Sequence, residues 1–427
     1  MSVKIGLVGT GTVGGGCIDI IQKHREDFKR HYNVDIELVK VCSLNRDEAE
    51  AHGVGHLFTS DFHDIVNDPD IQLVIELIGG TGVAHSVVCD ALRAGKYVVT
   101  ANKALMATAG EEIFRLADEA GVEVAFEASV GGGIPIIDPL KHSLISNEIE
   151  SVMGIVNGTT NYMLTRIGED DLTYDEALAE AQAKGFAEAD PTADVDGFDA
   201  AAKIAILASI AFNSRVVMSD VHTEGIRNIS PVDLINAREM GYSVKLMALA
   251  HRLPEGIDVR VHPTMIPRTH QMAHVNGVFN AIYVVGDAVG ETMFFGEGAG
   301  AGPAASAVMG DVLEVARRIT LGVQPIVGCT CTDKLPIVPM DSLQTRYYLR
   351  LTVPDRIGVL AAAAAVFSKH EVSLRSVMQE GTSDHGAVDL IFVTHTACEK
   401  NIRAAMAEIA AMQDMLLAEP TVIRVED

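Results

Sequence analysis

Val3 to Val8 reads as a buried strand, and it runs without a spacer into Gly9-Thr10-Gly11-Thr12-Val13-Gly14. A helical stretch from about Val13 to Phe28 follows. This succession constrains the fold more than any other part of the chain. In a strand–turn–helix setting the first glycine makes the tight turn, the second admits a phosphate, and the third lets helix pack on strand. Amides at the helix start then face an anion. The motif predicts a Rossmann-type parallel sheet that binds a dinucleotide through Gly9, Thr10, Gly11, Thr12, Val13 and Gly14. A plain glycine turn is the alternative.

The second strand, Ile36 to Val41, ends at Cys42-Ser43-Leu44-Asn45-Arg46. A free ribose 2′-hydroxyl usually meets an Asp or Glu at this strand end, and none stands at the tip. Arg46 lies where it could pair with a 2′-phosphate, which leans towards NADP over NAD. The other reading makes Arg46 the solvated start of a helix.

Further buried strands are expected at Leu73–Leu77 and Tyr97–Thr100, with a helix from Val83 to Ala94 between them. Ligands collect beyond the carboxyl ends of strands in open parallel sheets, so Ala101-Asn102-Lys103 places Lys103 for chemistry. A surface lysine at a strand end is the plainer reading. A helix from about Gly110 to Ala120 and a strand from Glu123 to Phe126 lead to Glu127–Pro135, an irregular loop. Its three consecutive glycines suit a hinge and close backbone approach to a ligand.

Residues 186–203 read FAEADPTADVDGFDAAAK, followed by the apolar run IAILASIAF. On a helix, Asp199 and Lys203 share a face one turn apart. From Ala200 to Phe212 that lysine is the one strongly polar side chain, and a helix apolar on every side is normally buried. The run is too short to span a bilayer, so it belongs to a core. Burial disfavours a lysine's charge and brings the group within reach of proton exchange, which marks Lys203 as functional. An ordinary ion pair on a solvated helix is the alternative. Thr173 and Glu176 form a capping-box pattern, and Gly185 falls where the helix should end, delivering Glu188, Asp190, Asp194 and Asp199 towards the lysine. Metal-binding acids and solvated loop charge are the other readings of this cluster. Gly296–Pro303, ahead of a helix from about Ala304 to Ile319, reads as a backbone cradle or a tight turn.

With 427 residues the chain has room for two or three domains. A formal charge of −25 argues against nucleic acid or an anionic membrane as partner. No leader pattern or membrane-length apolar run is apparent. The six cysteines are scattered, and the close pair, Cys329 and Cys331, is expected on opposite faces of a strand. These features point to a reduced, cytoplasmic protein. A Pro- and Thr-rich stretch near 329–345 reads as a linker. Beyond it, a β-α-β-β-α-β order matches the ferredoxin-like split unit. The expected division is 1–133 for the nucleotide domain, 134–328 for an α+β catalytic and dimerisation domain, and 346–427 for the ferredoxin-like domain. The helix 304–319 is expected to pack back on the first domain.

Over essentially its whole length the chain resembles homoserine dehydrogenases that carry a C-terminal ACT domain. The likeness rests on G-T-G-T-V-G at 9–14, A-N-K at 101–103, E-A-S-V-G-G-G-I-P at 127–135 and G-I-V-N-G-T-T-N-Y-M-L at 154–164. It rests also on K-G-F-A-E-A-D-P at 184–191, residues 194–203, 296–302 and V-P-D-R-I-G-V-L at 353–360. Phe186 departs from the tyrosine common in that family, which puts a hydroxyl contact to the substrate in doubt.

The resemblance implies reversible hydride transfer between L-homoserine and L-aspartate 4-semialdehyde with NADP or NAD, on the route to threonine, methionine and isoleucine. It makes Lys203 the leading proton donor and acceptor, with Lys103 a second lysine at the reacting centre and at the nicotinamide. Glu188, Asp199, Asp194, Thr159 and Gly158 would bind the substrate. Thr12, Val13, Gly185 and Gly300 would contact the cofactor. A sodium ion would sit at Glu127, Val130, Gly132 and Ile134. A homodimer or homotetramer is expected, with L-threonine as an effector of the ACT domain. Two rivals stay open: an aldehyde-oxidising enzyme, which needs a cysteine nucleophile beside a base, and an amino-acid sensor with a dead nucleotide domain.

Overall fold

The computed structural model describes residues 2–323, 328–380 and 386–426. The chain divides into two compact units. The first is made of Met1–Val156, Ala202–Val221 and Phe279–Leu335, and the second of Asn157–Ala201, His222–Val278 and Pro336–Asp427.

In the first unit, β1 (Val3–Val8), β2 (Ile36–Cys42), β3 (Phe58–Thr59), β4 (Leu73–Glu76), β5 (Tyr97–Thr100) and β6 (Val124–Ala125) form one sheet. Its order is β3-β2-β1-β4-β5-β6, and every neighbouring pair is parallel. Ile5, Leu7, Leu73, Val74, Ile75, Val98 and Val99 are buried, as strands covered on both faces require. The strand order reverses between β1 and β4, which sets a ligand crevice beyond their carboxyl ends.

Helices α1 (Thr12–Tyr32), α2 (Arg46–Ala51), α3 (Val83–Arg93) and α4 (Lys103–Ala120) connect these strands. The helix Ala301–Leu321 joins the same core, its Ala305, Val308, Val312 and Val315 packing with Val3, Ile5, Cys17 and Ile18. Gly16 permits the approach, since a Cβ there would lie 2.9 Å from that of Ala305. Strands Ile149–Ile155, Phe279–Gly286 and Gly290–Glu297 add an antiparallel set.

Three expectations need correction. The helix expected from Gly110 begins at Lys103, because Asn102 caps it by accepting from the Leu105 amide at 3.1 Å. The loop expected over 296–303 is shorter: the strand Gly290–Glu297 runs into it, and the helix starts at Ala301 with Pro303 in its first turn, where no amide is needed. Cys329 and Cys331 lie outside any strand, and both line one cavity with Lys141, Ser209 and Arg215.

In the second unit, Tyr242–Leu253 and Gly256–Pro267 form a long antiparallel hairpin. Gly256–Pro267 also pairs in parallel with Thr421–Val425, setting Thr264 beside Arg424. Thr421–Val425 lies against Gln344–Pro354, which is followed by Ala387–Thr394 and Leu374–Glu380, all antiparallel. With helices Val359–Lys369 and Glu399–Ala411 this is the split βαββαβ fold, cored by Tyr347, Leu349, Phe367, Phe392 and Ile402. Ion pairs reinforce the shared sheet. Arg424 reaches Glu224 at 2.7 Å and Glu399 at 2.6 Å, and Arg350 holds the fully buried Asp233 at 2.6 Å. Among the described residues no helix is long and apolar enough to cross a membrane.

Candidate active site

The glycines of the first turn divide their work by geometry. Gly9 has φ 101°, and a Cβ on it would meet the Leu77 backbone at 2.7 Å. A Cβ on Gly14 would lie 2.0 Å from the Gly9 carbonyl oxygen. Around Gly11 nothing stands within 4 Å, so the backbone is open there to a pyrophosphate. α1 starts with no side-chain cap and no acid in its first turn, which leaves its positive end for an anion.

An acid from the first turn of α2 braces the glycine turn. Glu48 accepts from the Thr10 hydroxyl at 2.7 Å and from Ser43 at 2.9 Å. These two hydroxyls hold its carboxyl below the ordinary range, so it is ionised. Sequence reasoning missed Glu48 because it looked at the strand end and not at the helix after it. Arg46 is the first residue of α2; its Nε donates to Glu50 at 2.9 Å and its guanidinium lies over the Phe58 ring.

Beyond β4 and β5, the buried Glu76 accepts from Thr100 Oγ1 at 2.7 Å and from the Ile78 amide at 2.8 Å. Asn102 donates to the Gly80 carbonyl at 2.7 Å while capping α4. This bracing fixes the helix start at Lys103. Neither Glu76 nor Asn102 was singled out from the sequence, although a strand-end acid and an Asn before a helix are usable signals.

Glu127 is buried, and its carboxylate accepts from the amides of Ile136 (2.6 Å), Ile137 (2.8 Å) and Asp138 (2.6 Å). Burial is the dominant effect and raises its pKa, against the pull of those amides. Val130 and Ile134 are buried, and Gly131 and Gly132 take positive φ between them. A Cβ on Gly132 would lie 2.5 Å from the Gly298 carbonyl oxygen, so two glycine-rich segments meet where only glycine fits. Gly300 has φ 124° and precedes the helix Ala301–Leu321.

In the second unit, Asn157 caps the helix Gly158–Asp170, accepting from the Thr160 amide at 2.9 Å. Its Nδ2 donates to Asp194 Oδ1 at 2.7 Å and to Asp199 Oδ2 at 3.0 Å. Thr159 Oγ1 lies 3.0 Å from Asp194 Oδ2 and 2.6 Å from the Phe186 carbonyl. Thr159, Asp194 and Asp199 are thus gathered by Asn157, a residue sequence reasoning passed over. Gly158 is the first residue of the capped helix. The helix Tyr174–Ala183 has the full Thr173–Glu176 capping box, with Gly185 at φ 75° just past its end. Phe186 packs edge-on against Tyr162 at 5.0 Å. Glu188 is exposed and stands outside the Asn157 network among the described residues; Gln182 donates to its carbonyl at 3.0 Å.

Lys203 is buried on the helix Phe198–Ala211, and its ammonium donates to the Val156 carbonyl at 2.6 Å. That bond ties the side chain to the end of the strand Ile149–Ile155, next to the residue that caps the helix Gly158–Asp170. The fold and these groups define an NAD(P)-dependent oxidoreductase of the doubly wound type.

Comparison with known proteins narrows the class. The homoserine dehydrogenase family profile matches residues 135–313, the profile of its NAD-binding domain residues 9–127, and the ACT domain profile residues 347–413. The homoserine dehydrogenase of Synechocystis is 44% identical, with all of both chains aligned. That of Pseudomonas aeruginosa is 42% identical over 99% of each. A crystal structure of the Thiobacillus denitrificans homoserine dehydrogenase superposes with a TM-score of 0.94 at 41% identity, covering 100% of this chain and 99% of that one. A hyperthermophilic archaeal homoserine dehydrogenase in complex with NADPH has a TM-score of 0.65 at 26% identity over 77% of this chain and 100% of that one. The chain belongs to the homoserine dehydrogenase family.

Proposed function

We propose that the chain interconverts L-aspartate 4-semialdehyde and L-homoserine, with Lys203 as the group that exchanges a proton with the substrate oxygen. The observation that carries this reading is the buried Lys203 ammonium, held by a main-chain carbonyl. A bound nicotinamide dinucleotide supplies or accepts the hydride. In the reductive direction Lys203 meets the aldehyde oxygen, offsets the charge that develops on it, and gives up a proton to form the alcohol. In the oxidative direction the same amine takes the proton back. Lys103, fixed at the start of α4, is the second cation at the reacting centre and touches the nicotinamide end. Asp194 and Asp199, oriented by Asn157 and Thr159, receive the substrate ammonium together with Glu188, and Gly158 lines the same place.

Gly9, Thr10, Gly11, Thr12, Val13 and Gly14 hold the pyrophosphate, with Gly185 and Gly300 as further cofactor contacts. NADP is the preferred form through Arg46, whose exposed guanidinium can leave Glu50 for a 2′-phosphate. A sodium ion would suit the loop at Glu127, Val130, Gly132 and Ile134. The Glu127 carboxylate is already taken by three amides, so main-chain oxygens are the donors left for a hard cation there. We read the division at 133, 328 and 345 as nucleotide domain, catalytic domain, linker and ACT domain. The enzyme works in the cytoplasm as a homodimer or homotetramer, in threonine, methionine and isoleucine biosynthesis. L-threonine binds the ACT domain at Asp355–Gly358, where Gly358 caps the helix Val359–Lys369 and Ile357 is fully exposed. Steady-state oxidation of L-homoserine with each cofactor tests the reading. Turnover with a lower KM for NADP is expected, and absence of turnover with both would overturn it.

A further inference from the structure

We propose that His85, Cys89 and Glu112 form a binding site for a divalent transition-metal ion of borderline softness, zinc in the first instance. His85 and Cys89 lie one turn apart on α3, and Glu112 reaches them from α4. His85 Nε2 is 3.0 Å from Glu112 Oε2 and 3.5 Å from Cys89 Sγ. All three donor atoms lie within 4.8 Å of one another, and this is the one such His/Cys/Asp/Glu group among the described residues. A tetrahedral zinc ion with ordinary bond lengths has N···O edges of about 3.3 Å and S···N edges of about 3.5 Å. Two of the three edges are therefore already close to the required length.

The donor chemistry selects the ion. Imidazole, thiolate and carboxylate together suit zinc and its neighbours, whereas magnesium and calcium ask for oxygen alone. The sulfur is buried and the other two groups are half-exposed, so protein closes one side of the site and water supplies the fourth ligand from the other. Arg93 Nη2 lies 3.9 Å from Glu112 Oε1, the oxygen turned away from His85, and helps to fix the carboxylate. The site lies apart from the residues assigned above to cofactor, substrate and sodium. Occupied, it would pin α3 to α4, the helix that starts at Lys103.

The test uses the full chain stripped of metal by a chelator. Zinc is titrated in competition with a chromophoric chelator, and cobalt(II) serves as the spectroscopic probe. The expected result is one zinc per chain, with a sulfur-to-cobalt charge-transfer band in the near ultraviolet. Cys89→Ser should remove the band. His85→Ala and Glu112→Gln should each weaken zinc binding by at least about tenfold, the lower end of what even outer-sphere changes do to metal sites. His85 is at the surface, so its variant answers the question even if Cys89→Ser misfolds. Equal zinc uptake by wild type and His85→Ala would reduce the cluster to a hydrogen-bonded trio and overturn the proposal. A cobalt band that persists in Cys89→Ser would do the same.

Discussion

The ammonium of Lys203 lies 2.6 Å from the carbonyl oxygen of Val156, the residue immediately before Asn157. This hydrogen bond ties the buried side chain to the strand that leads into the capped helix Gly158–Asp170. Lys203→Ala should retain cofactor binding and lose at least about a hundredfold in kcat, the scale of a removed general acid–base. Fluorescence titration with NADPH and steady-state kinetics separate the two effects. A kcat near wild type would remove Lys203 from the chemistry.

Asn157 gathers two carboxylates with one amide. Asn157→Ser keeps a helix-capping oxygen but loses the donor to Asp194 and Asp199. Hydrogen bonds to charged groups are worth roughly 1.5–3 kcal/mol, so KM for homoserine should rise by about tenfold or more. Thermal stability should change little. A large fall in Tm with an unchanged KM would mean the amide serves the fold alone.

Arg46 now spends its charge on the exposed Glu50 and on the half-buried Phe58 ring. Arg46→Ala should raise KM for NADP while leaving KM for NAD nearly unchanged. Equal effects on both cofactors would make it an ordinary surface arginine.

Acid should weaken the second unit through its histidines. Burial first, with Arg260 adding, lowers the His251 pKa to about 4, and burial beside Arg424 and Arg260 pushes His262 well down. Below its ordinary value of about 6.5 a histidine is protonated in the unfolded chain but not in the folded one. Stability is therefore full above that pH and is lost as pH falls towards about 4, by up to about 1.4 kcal/mol per unit for each histidine. In urea unfolding, His251→Gln should flatten this loss without abolishing it, because His262 shares the window. An unchanged slope would contradict the assignment.

Threonine control has a sharper test than removing the C-terminal fold. Cutting the chain near Met340 would strip Arg350 from the buried Asp233 and Arg424 from Glu224, and orphaned buried charges destabilise strongly. Ile357→Asp instead places a negative charge at the exposed turn Asp355–Gly358. It should weaken inhibition by threonine if the effector carboxylate docks on those amides. Inhibition at wild-type strength would place the effector elsewhere.

What could be read directly from the residues was local. The glycine turn after β1, the Thr173–Glu176 cap and the β-α-β-β-α-β order each lie within a short window, where periodicity and capping chemistry act. The parts that escaped depend on residues distant in sequence. Glu48 reaches Thr10 only because β2 lies beside β1. Asn157 meets Asp194 and Asp199 only after two helices have packed. The start of α4 was misplaced for a smaller reason, since Asn102 was read as the end of a strand and not as a cap.

The pairing of Gly256–Pro267 with Thr421–Val425 bears on how the protein is made. A ribosome that has finished the hairpin must add more than a hundred further residues before the neighbouring strand exists. Until then the strand lacks its neighbour at Thr264 and Met265, and an unpaired stretch of edge is the kind of place where chains aggregate. Such long-range pairing is slow to form, whereas the six strands of the nucleotide-binding sheet are all synthesised within the first third of the chain.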